Sequence, residues 1–164
     1  MIVAENGKAE YVKLRKKLIE VKGGRIRRWW NRRKLSKPCK IVADYEKCEK
    51  LMAFMESAAS TFHRYHPAGC YGLAANQFGI RKRVFAIRKP NRNAFTVYVN
   101  PMIVKGARQQ TKTEYCLSHP GDEFKVERFK TITVDSDNIG LQTLSGIEAQ
   151  AFQHEMDHLN GKLV

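Results

Sequence analysis

The sequence predicts an α+β domain with an antiparallel sheet lying between two helices in chain order. Three observations predict it. An amphipathic helical pattern runs from about Asp44 to His63. Between there and about residue 143 the apolar stretches are short and tend to alternate. A second helical stretch follows, from about Gly146 to Asn160.

Each element has a local reason. In the first helix Cys48, Leu51, Met52, Met55, Ala58, Ala59 and Phe62 share one face, Asp44 offers an N-cap, and Pro67 with Gly69 marks the stop. Val84–Ile87 is a short apolar run, Phe95–Val99 alternates and ends at Pro101, and Thr131–Val134 alternates again. Asp137-Asn138-Ile139-Gly140 is a turn signal. Ser145-Gly146-Ile147-Glu148 has the pattern of a capping box, and Gly161 supplies a C-terminal stop. Further upstream, Tyr11, Leu14, Leu18 and Val21 recur at near-helical spacing until Gly23-Gly24 breaks the pattern.

The chain has 164 residues, the size of one domain, and 43% hydrophobic residues, enough for a core. No apolar run reaches the ~18–20 residues of a membrane span, so a transmembrane protein is not expected. Met1 to Glu10 lacks the apolar run of a signal peptide. Cys39, Cys48, Cys70 and Cys116 form no CxxC pair, which fits a reducing, cytoplasmic setting better than a disulfide framework. The net charge of +14 is unevenly placed: residues 1–40 hold 14 Lys/Arg and 3 Asp/Glu, and the rest is nearly balanced. Arg25 to Lys34 surrounds Trp29-Trp30 with five Arg and one Lys. That composition invites a nucleic-acid reading, since phosphates and bases are met by such side chains.

The last helix carries His154-Glu155-Met156-Asp157-His158. Two histidines four residues apart share a helix face, so both imidazoles can reach one metal ion. Glu155 lies beside them as a base for water. Ile147 and Ala151 continue the stripe and can wall an apolar pocket. Hydrolytic chemistry needs a third protein ligand, and none of the six residues after His158 can serve. The upstream candidates are His63, His66, His119, Cys116, Glu114 or another Cys. Cys116 stands out within Glu114-Tyr115-Cys116-Leu117-Ser118, because a thiolate suits a borderline metal. Otherwise the three histidines read as solvated, with His119 near enough in sequence to touch substrate. Glu114 and Asp157 read equally well as partners of a ligand histidine or as ordinary salt bridges. Cys39 and Cys48 read as buried or incidental thiols.

Three segments together resemble the peptide deformylases. They are Cys70-Tyr71-Gly72-Leu73-Ala74-Ala75-Asn76-Gln77, Glu114-Tyr115-Cys116-Leu117-Ser118, and Gln153-His154-Glu155-Met156-Asp157-His158-Leu159-Asn160-Gly161. The resemblance covers Leu35 to Val164, leaving residues 1–34 as a basic N-terminal segment before a catalytic domain at 35–164. It implies antiparallel sheets packed around a C-terminal metal-binding helix. It implies removal of the formyl group from N-terminal formyl-Met of nascent polypeptides. Cys116, His154 and His158 would hold one divalent ion, Fe2+ first, with Zn2+, Ni2+ or Co2+ as alternatives. Glu155 would be the general base, and Gln77 and the Leu117 N–H would supply oxyanion donors. Cys70, Tyr71, Gly72, Tyr115, Ile147 and Ala151 would border the substrate, with Tyr71-Gly72 as a rail for an added peptide strand.

Three departures stand out. Cys70 replaces the first glycine of the first signature, and Tyr115 replaces the glycine of the second. The printed sequence also stops three residues after Gly161, where many family members continue into a ribosome-docking helix; this resembles short, phage-encoded forms. The basic segment is therefore expected to contact ribosomal RNA, and the setting to be the cytoplasm of a bacterium or a phage-infected bacterium. Two competing readings are a metallopeptidase using the same helix and a nucleic-acid-binding protein with a structural metal. The missing downstream ligand opposes the first, and the lack of a fourth ligand opposes the second.

Overall fold

The computed structural model describes residues 2–23, 25–44, 46–67 and 69–163. Its helices are α1 (Ile2–Lys17), α2 (Arg25–Leu35), α3 (Glu49–Tyr65) and α4 (Gly146–Leu159). Its strands are β1 (Gly72–Ala74), β2 (Val84–Arg88), β3 (Phe95–Val99), β4 (Met102–Cys116), β5 (His119–Asp135) and β6 (Gln142–Ser145). They form two antiparallel three-stranded sheets, in the orders β1-β2-β3 and β4-β5-β6.

The side-chain period of two explains how one strand serves two cores. Val84 and Ala86 of β2 pack with Met55, Ala59 and Phe62 of α3. Phe85 and Ile87, on the opposite face, pack with Phe152, Met156 and Leu159 of α4. The second sheet closes over the same helix through Ile132, Val134 and Leu144. The antiparallel sheets thus pack around α4, whose inner face is apolar and whose remaining face carries the His-Glu-x-x-His motif. Gly161 is required at the end of α4 on two counts. Its φ is +75°, and a Cβ there would lie 2.6 Å from the Ser36 carbonyl oxygen.

Several sequence expectations change. Asp44 does not cap α3: a 3-10 turn, Glu46–Cys48, intervenes, Cys48 is the N-cap, and Asp44 instead pairs with Lys47 at 3.0 Å. Ser145 is the N-cap of α4 with an extended backbone, but its side chain makes no capping hydrogen bond. Thr131–Val134 is the end of a much longer strand. β4 and β5 form a hairpin in which β4 is polar and mostly exposed from Lys105 to Thr113 and gives no apolar alternation to read. Of the Gly23-Gly24 break, Gly24 lies outside the described residues; Gly23 has φ +92°.

The basic segment is helical. Leu14 and Leu18 enter the core beside α3, and Tyr11 meets Phe62 edge-on at 5.4 Å between ring centroids. By contrast α2 is exposed along most of its length, with Leu35 buried at its end. Among the described residues, no helix is long and apolar enough to cross a membrane.

Candidate active site

Two elements bring the motifs together. On α4, His154 and His158 stack one turn apart, with ring centroids 5.0 Å apart. At the end of β4, a register shift between Glu114 and Cys116 precedes the tight turn Leu117-Ser118. Strand alternation then turns Glu114 and Cys116 inward and leaves Tyr115 outside, 66% exposed.

The Sγ of Cys116 lies 3.2 Å from Nε2 of His158. The ligand-capable atoms of Cys116, His154 and His158 all lie within 4.8 Å of one another. One soft thiolate and two imidazoles converging in a buried place fit a divalent ion of borderline softness. His63 and His66 are half-buried rather than solvated. They stand outside this cluster; His63 Nδ1 meets the Cys70 carbonyl at 2.9 Å. His119 is buried, not solvated, with its ring edge-on to Phe124 at 5.3 Å.

Around the triad runs a buried ionic network. Glu114 accepts from Arg128 Nε at 2.9 Å and Nη2 at 2.7 Å, and meets Nδ1 of His154 at 2.9 Å. Glu114 therefore does both of the things expected as alternatives: it holds Nδ1 of His154, a candidate ligand, and pairs with an arginine. Asp157 accepts from Arg128 Nη1 at 2.7 Å and pairs with Lys162 at 3.4 Å. Burial opposes the charge on Glu114, but the His154 and Arg128 hydrogen bonds prevail and hold its carboxyl down at about 2. Burial likewise opposes charge on His154, yet hydrogen bonds to Cys116 and Glu114 raise its basicity well above the ordinary range. His158, fully buried beside His154, is pushed well below it.

Glu155 is 2% exposed, and burial pushes its carboxyl up to about 7. A cation held by the triad would draw that value back down. Gly72 lies directly against this side chain. A Cβ at Gly72 would stand 2.8 Å from Cγ and 2.9 Å from Cδ of Glu155. The glycine is needed here for space, because its φ is not positive.

Gln77 is held from both ends. Its Oε1 accepts the Ala74 N–H at 2.8 Å, and its Nε2 donates to Ser118 Oγ at 3.0 Å and points to Cys116 Sγ at 3.9 Å. Asn76 donates to the His158 carbonyl at 2.7 Å, tying the segment after β1 to α4. Arg128 lies in no motif, and Ser118 and Asn76 lie within two of the motif segments without a role that sequence reasoning assigns. Their partners lie 14, 41 and 82 residues away, so no local spacing could reveal them.

Above the cluster opens a cavity of about 440 Å³, within the usual range for small-ligand sites. Leu117, Cys70, Tyr71, Gly72, Tyr115, Ile147 and Ala151 all line it. Tyr71 and Ile147 are each 48% exposed, whereas Cys70 is buried, with its thiol donating to the Gly72 carbonyl at 3.1 Å. The bulk at Cys70 therefore goes into the core beside Phe62 and adds little to the groove. At the other substituted position, the Tyr115 hydroxyl donates to Glu123 at 2.6 Å and stays in solvent. β1 is the edge strand of its sheet, with β2 on one side only.

A soft three-ligand cluster with an adjacent carboxylate, facing a cavity beside a free strand edge, defines a metal-dependent hydrolase. Comparison with known proteins narrows the class. The family model of polypeptide deformylases matches residues 27–164. Peptide deformylase of Desulforudis audaxviator is 43% identical over 99 residues, covering 57% of this chain and 64% of that protein. Peptide deformylase 1 of Clostridium perfringens is 33% identical over 134 residues, covering 79% of this chain and 87% of that protein. The crystal structure of a probable peptide deformylase from synechococcus phage S-SSM7 superposes with a TM-score of 0.67 at 31% identity, covering 80% of this chain and 90% of that one. The chain belongs to the polypeptide deformylase family, enzymes that remove the N-formyl group from nascent polypeptides.

Proposed function

We propose that this chain deformylates N-terminal formyl-Met through the Cys116–His154–His158 cluster. The observation that carries this reading is the convergence of those three ligand atoms within 4.8 Å, beside the buried Glu155. Fe2+ is the leading ion, with Zn2+, Ni2+ and Co2+ as alternatives compatible with the same donors. A divalent ion bound there supplies Lewis acidity and lowers the pKa of coordinated water.

The remaining steps belong to the protein. The formyl-Met backbone lies along the free edge of β1 at Tyr71-Gly72 as an added strand. Its side chain enters the apolar end bordered by Ile147 and Ala151. The Gln77 carboxamide, fixed by Ala74 and Ser118, donates to the developing oxyanion, and the Leu117 N–H is the second donor. Glu155 accepts the proton from the attacking water and returns it to the leaving amine nitrogen. Cys70, buried, and Tyr115, in solvent, border the groove without filling it. Glu114 fixes the tautomer of His154 by accepting from its Nδ1.

The test is formate release from a formyl-Met tripeptide, on protein loaded anaerobically with iron, nickel or zinc. Formate release without internal peptide cleavage supports the reading. Internal cleavage points instead to a peptidase.

The division into a basic segment at 1–34 and a catalytic domain at 35–164 is proposed as functional. In this reading α2 contacts ribosomal RNA, and the enzyme works in the cytoplasm of a bacterium or an infected bacterium. Trp29 and Trp30 are 52% and 51% exposed, with the Arg33 guanidinium 5.3 Å and 6.0 Å from their rings. Such a surface offers both stacking and phosphate contacts. Because Leu14 and Leu18 are core residues, the clean test is substitution on α2 and not removal of the segment. Arg28→Gln/Arg32→Gln/Trp29→Ala should weaken salt-dependent ribosome binding while peptide deformylation persists. Unchanged binding removes the RNA role.

A further inference from the structure

The cavity wall contains a residue that no motif supplies. Arg15, in the last turn of α1, lines the same cavity as Gln77, Cys116, His154 and Glu155. Among the described residues lining that cavity, it is the one lysine or arginine. Its place follows from the helix. Tyr11 lies four residues earlier on the same face and is wedged against Phe62 and His66, at 5.4 Å and 6.4 Å between ring centroids. Leu14 and Leu18 anchor the neighbouring face in the core.

The chain after the helix is tied to the catalytic loops. The Ile19 N–H donates to the Gln77 carbonyl at 2.7 Å, and the Val21 N–H to the Ser118 carbonyl at 2.6 Å. Arg15 is thus fixed relative to the residues proposed to hold the oxyanion. Its Nη1 donates to the Tyr11 hydroxyl at 3.1 Å, and its Nε faces Glu20 at 3.4 Å. Glu20 is also paired with Lys22, so the trio keeps one positive charge. The guanidinium has five N–H donors, and these contacts engage two of them. The side chain remains 39% exposed.

The position along the groove sets what Arg15 can meet. Gly72 marks the reacting end, against Glu155. Gly69, three residues back, lines the cavity together with His66 and Arg15. Three residues of extended chain span at most about 10 Å. A peptide with its formyl-Met at Gly72 therefore reaches this end with its third or fourth residue. A formylated N-terminus has no ammonium group to be repelled, and the strongest acceptor a peptide can offer Arg15 is a carboxylate.

We propose that Arg15 is a specificity residue that takes a carboxylate at the third or fourth position of the formylated chain. This rests on the deformylase reading above. Two sources share that chemistry: an acidic side chain, and the terminal carboxylate of a short peptide.

The test uses metal-loaded full-length protein and formate release. Formyl-Met-Ala-Glu-Ala-amide and formyl-Met-Ala-Ala-Glu-amide are each compared with their Gln counterparts. Formyl-Met-Ala-Ala is compared as free acid and as amide. The parent protein should favour at least one acidic peptide by about two- to fivefold in kcat/KM, expressed in KM, as for a partly exposed ion pair. Arg15→Gln should bring that ratio to one, and Arg15→Lys should keep part of it. A preference confined to the free-acid tripeptide supports the site and assigns its carboxylate to the chain terminus. Absence of any preference in the parent overturns the proposal. So does an equal fall in kcat for both members of a pair in Arg15→Gln, which would make Arg15 a brace. No formate from any peptide would overturn the deformylase reading, and the proposal with it.

Discussion

Gly72→Ala tests the packing of the site most sharply. The substitution adds one methyl group and no charge. At that position the new carbon would stand 2.8 Å from Cγ and 2.9 Å from Cδ of Glu155. Carbon atoms settle at about 3.5–4.0 Å, so Glu155 must retreat by about 0.6–1 Å. The strand cannot yield easily, because Gly72, Leu73 and Ala74 are paired with Ile87, Ala86 and Phe85 of β2. A displacement of that size at a reacting group costs about 100-fold in rate. The assay is steady-state formate release from formyl-Met-Ala-Ser, alongside metal content and thermal melting. The expected result is a kcat about 100-fold lower with metal content unchanged, since the atoms nearest the new methyl group all belong to Glu155. A kcat within threefold of the parent would refute the reasoning, because Glu155 would then not need its observed place.

Other expectations follow from the same geometry. Glu155→Ala should bind metal normally, measured by mass spectrometry, and lose about 10²–10⁴-fold in kcat. Cys116→Ala should lose most of its bound metal at equal protein concentration; full occupancy would remove the thiolate from the ligand set. Arg128→Met should lower stability in a denaturant titration by about 3–5 kcal/mol, because it leaves the buried Glu114 charge without its bidentate partner. The Glu114 carboxyl lies at about 2 in the fold against an ordinary 4.5. Its depressed value adds stability that is complete above pH 4.5 and is lost as pH falls towards 2, about 3 kcal/mol in all. Metal-free Glu114→Gln should therefore show a shallower acid limb in stability than the parent. Superimposable limbs would contradict that assignment.

Local sequence rules read some elements well. β3 is found at its expected bounds, and β2 extends one residue further to Arg88. α4 was legible because a histidine pair, an apolar stripe and a glycine stop agree on one helix. The long hairpin was not legible beyond Thr131–Val134. β4 is polar and mostly exposed between Lys105 and Thr113, so hydrogen bonding to β5 supports it there, and the short alternation of Phe124 and Val126 with Lys125 and Glu127 is all the apolar signature the facing stretch of β5 carries. The N-cap of α3 moved from Asp44 to Cys48 for a related reason: many residues can occupy such a place, and the tertiary path of the chain chooses among them, whereas Ser145 stands at the N-cap of α4 without its side-chain bond.

What the sequence determined by itself was chemical. It contained the residue types that can bind a metal and move a proton, and it placed His154, Glu155 and His158 on one helix. The distant Cys116 was readable only as the best of several candidates until the motifs were taken together. The tertiary structure alone decided which atoms meet. It brought Cys116 beside His158, hung Glu114 and Asp157 on Arg128, set Gly72 against Glu155, and carried Arg15 to the groove. The physical reason is range. Helical periodicity binds residues three or four apart, whereas these contacts join segments tens of residues apart, through the burial of β2 and α4 in a shared core.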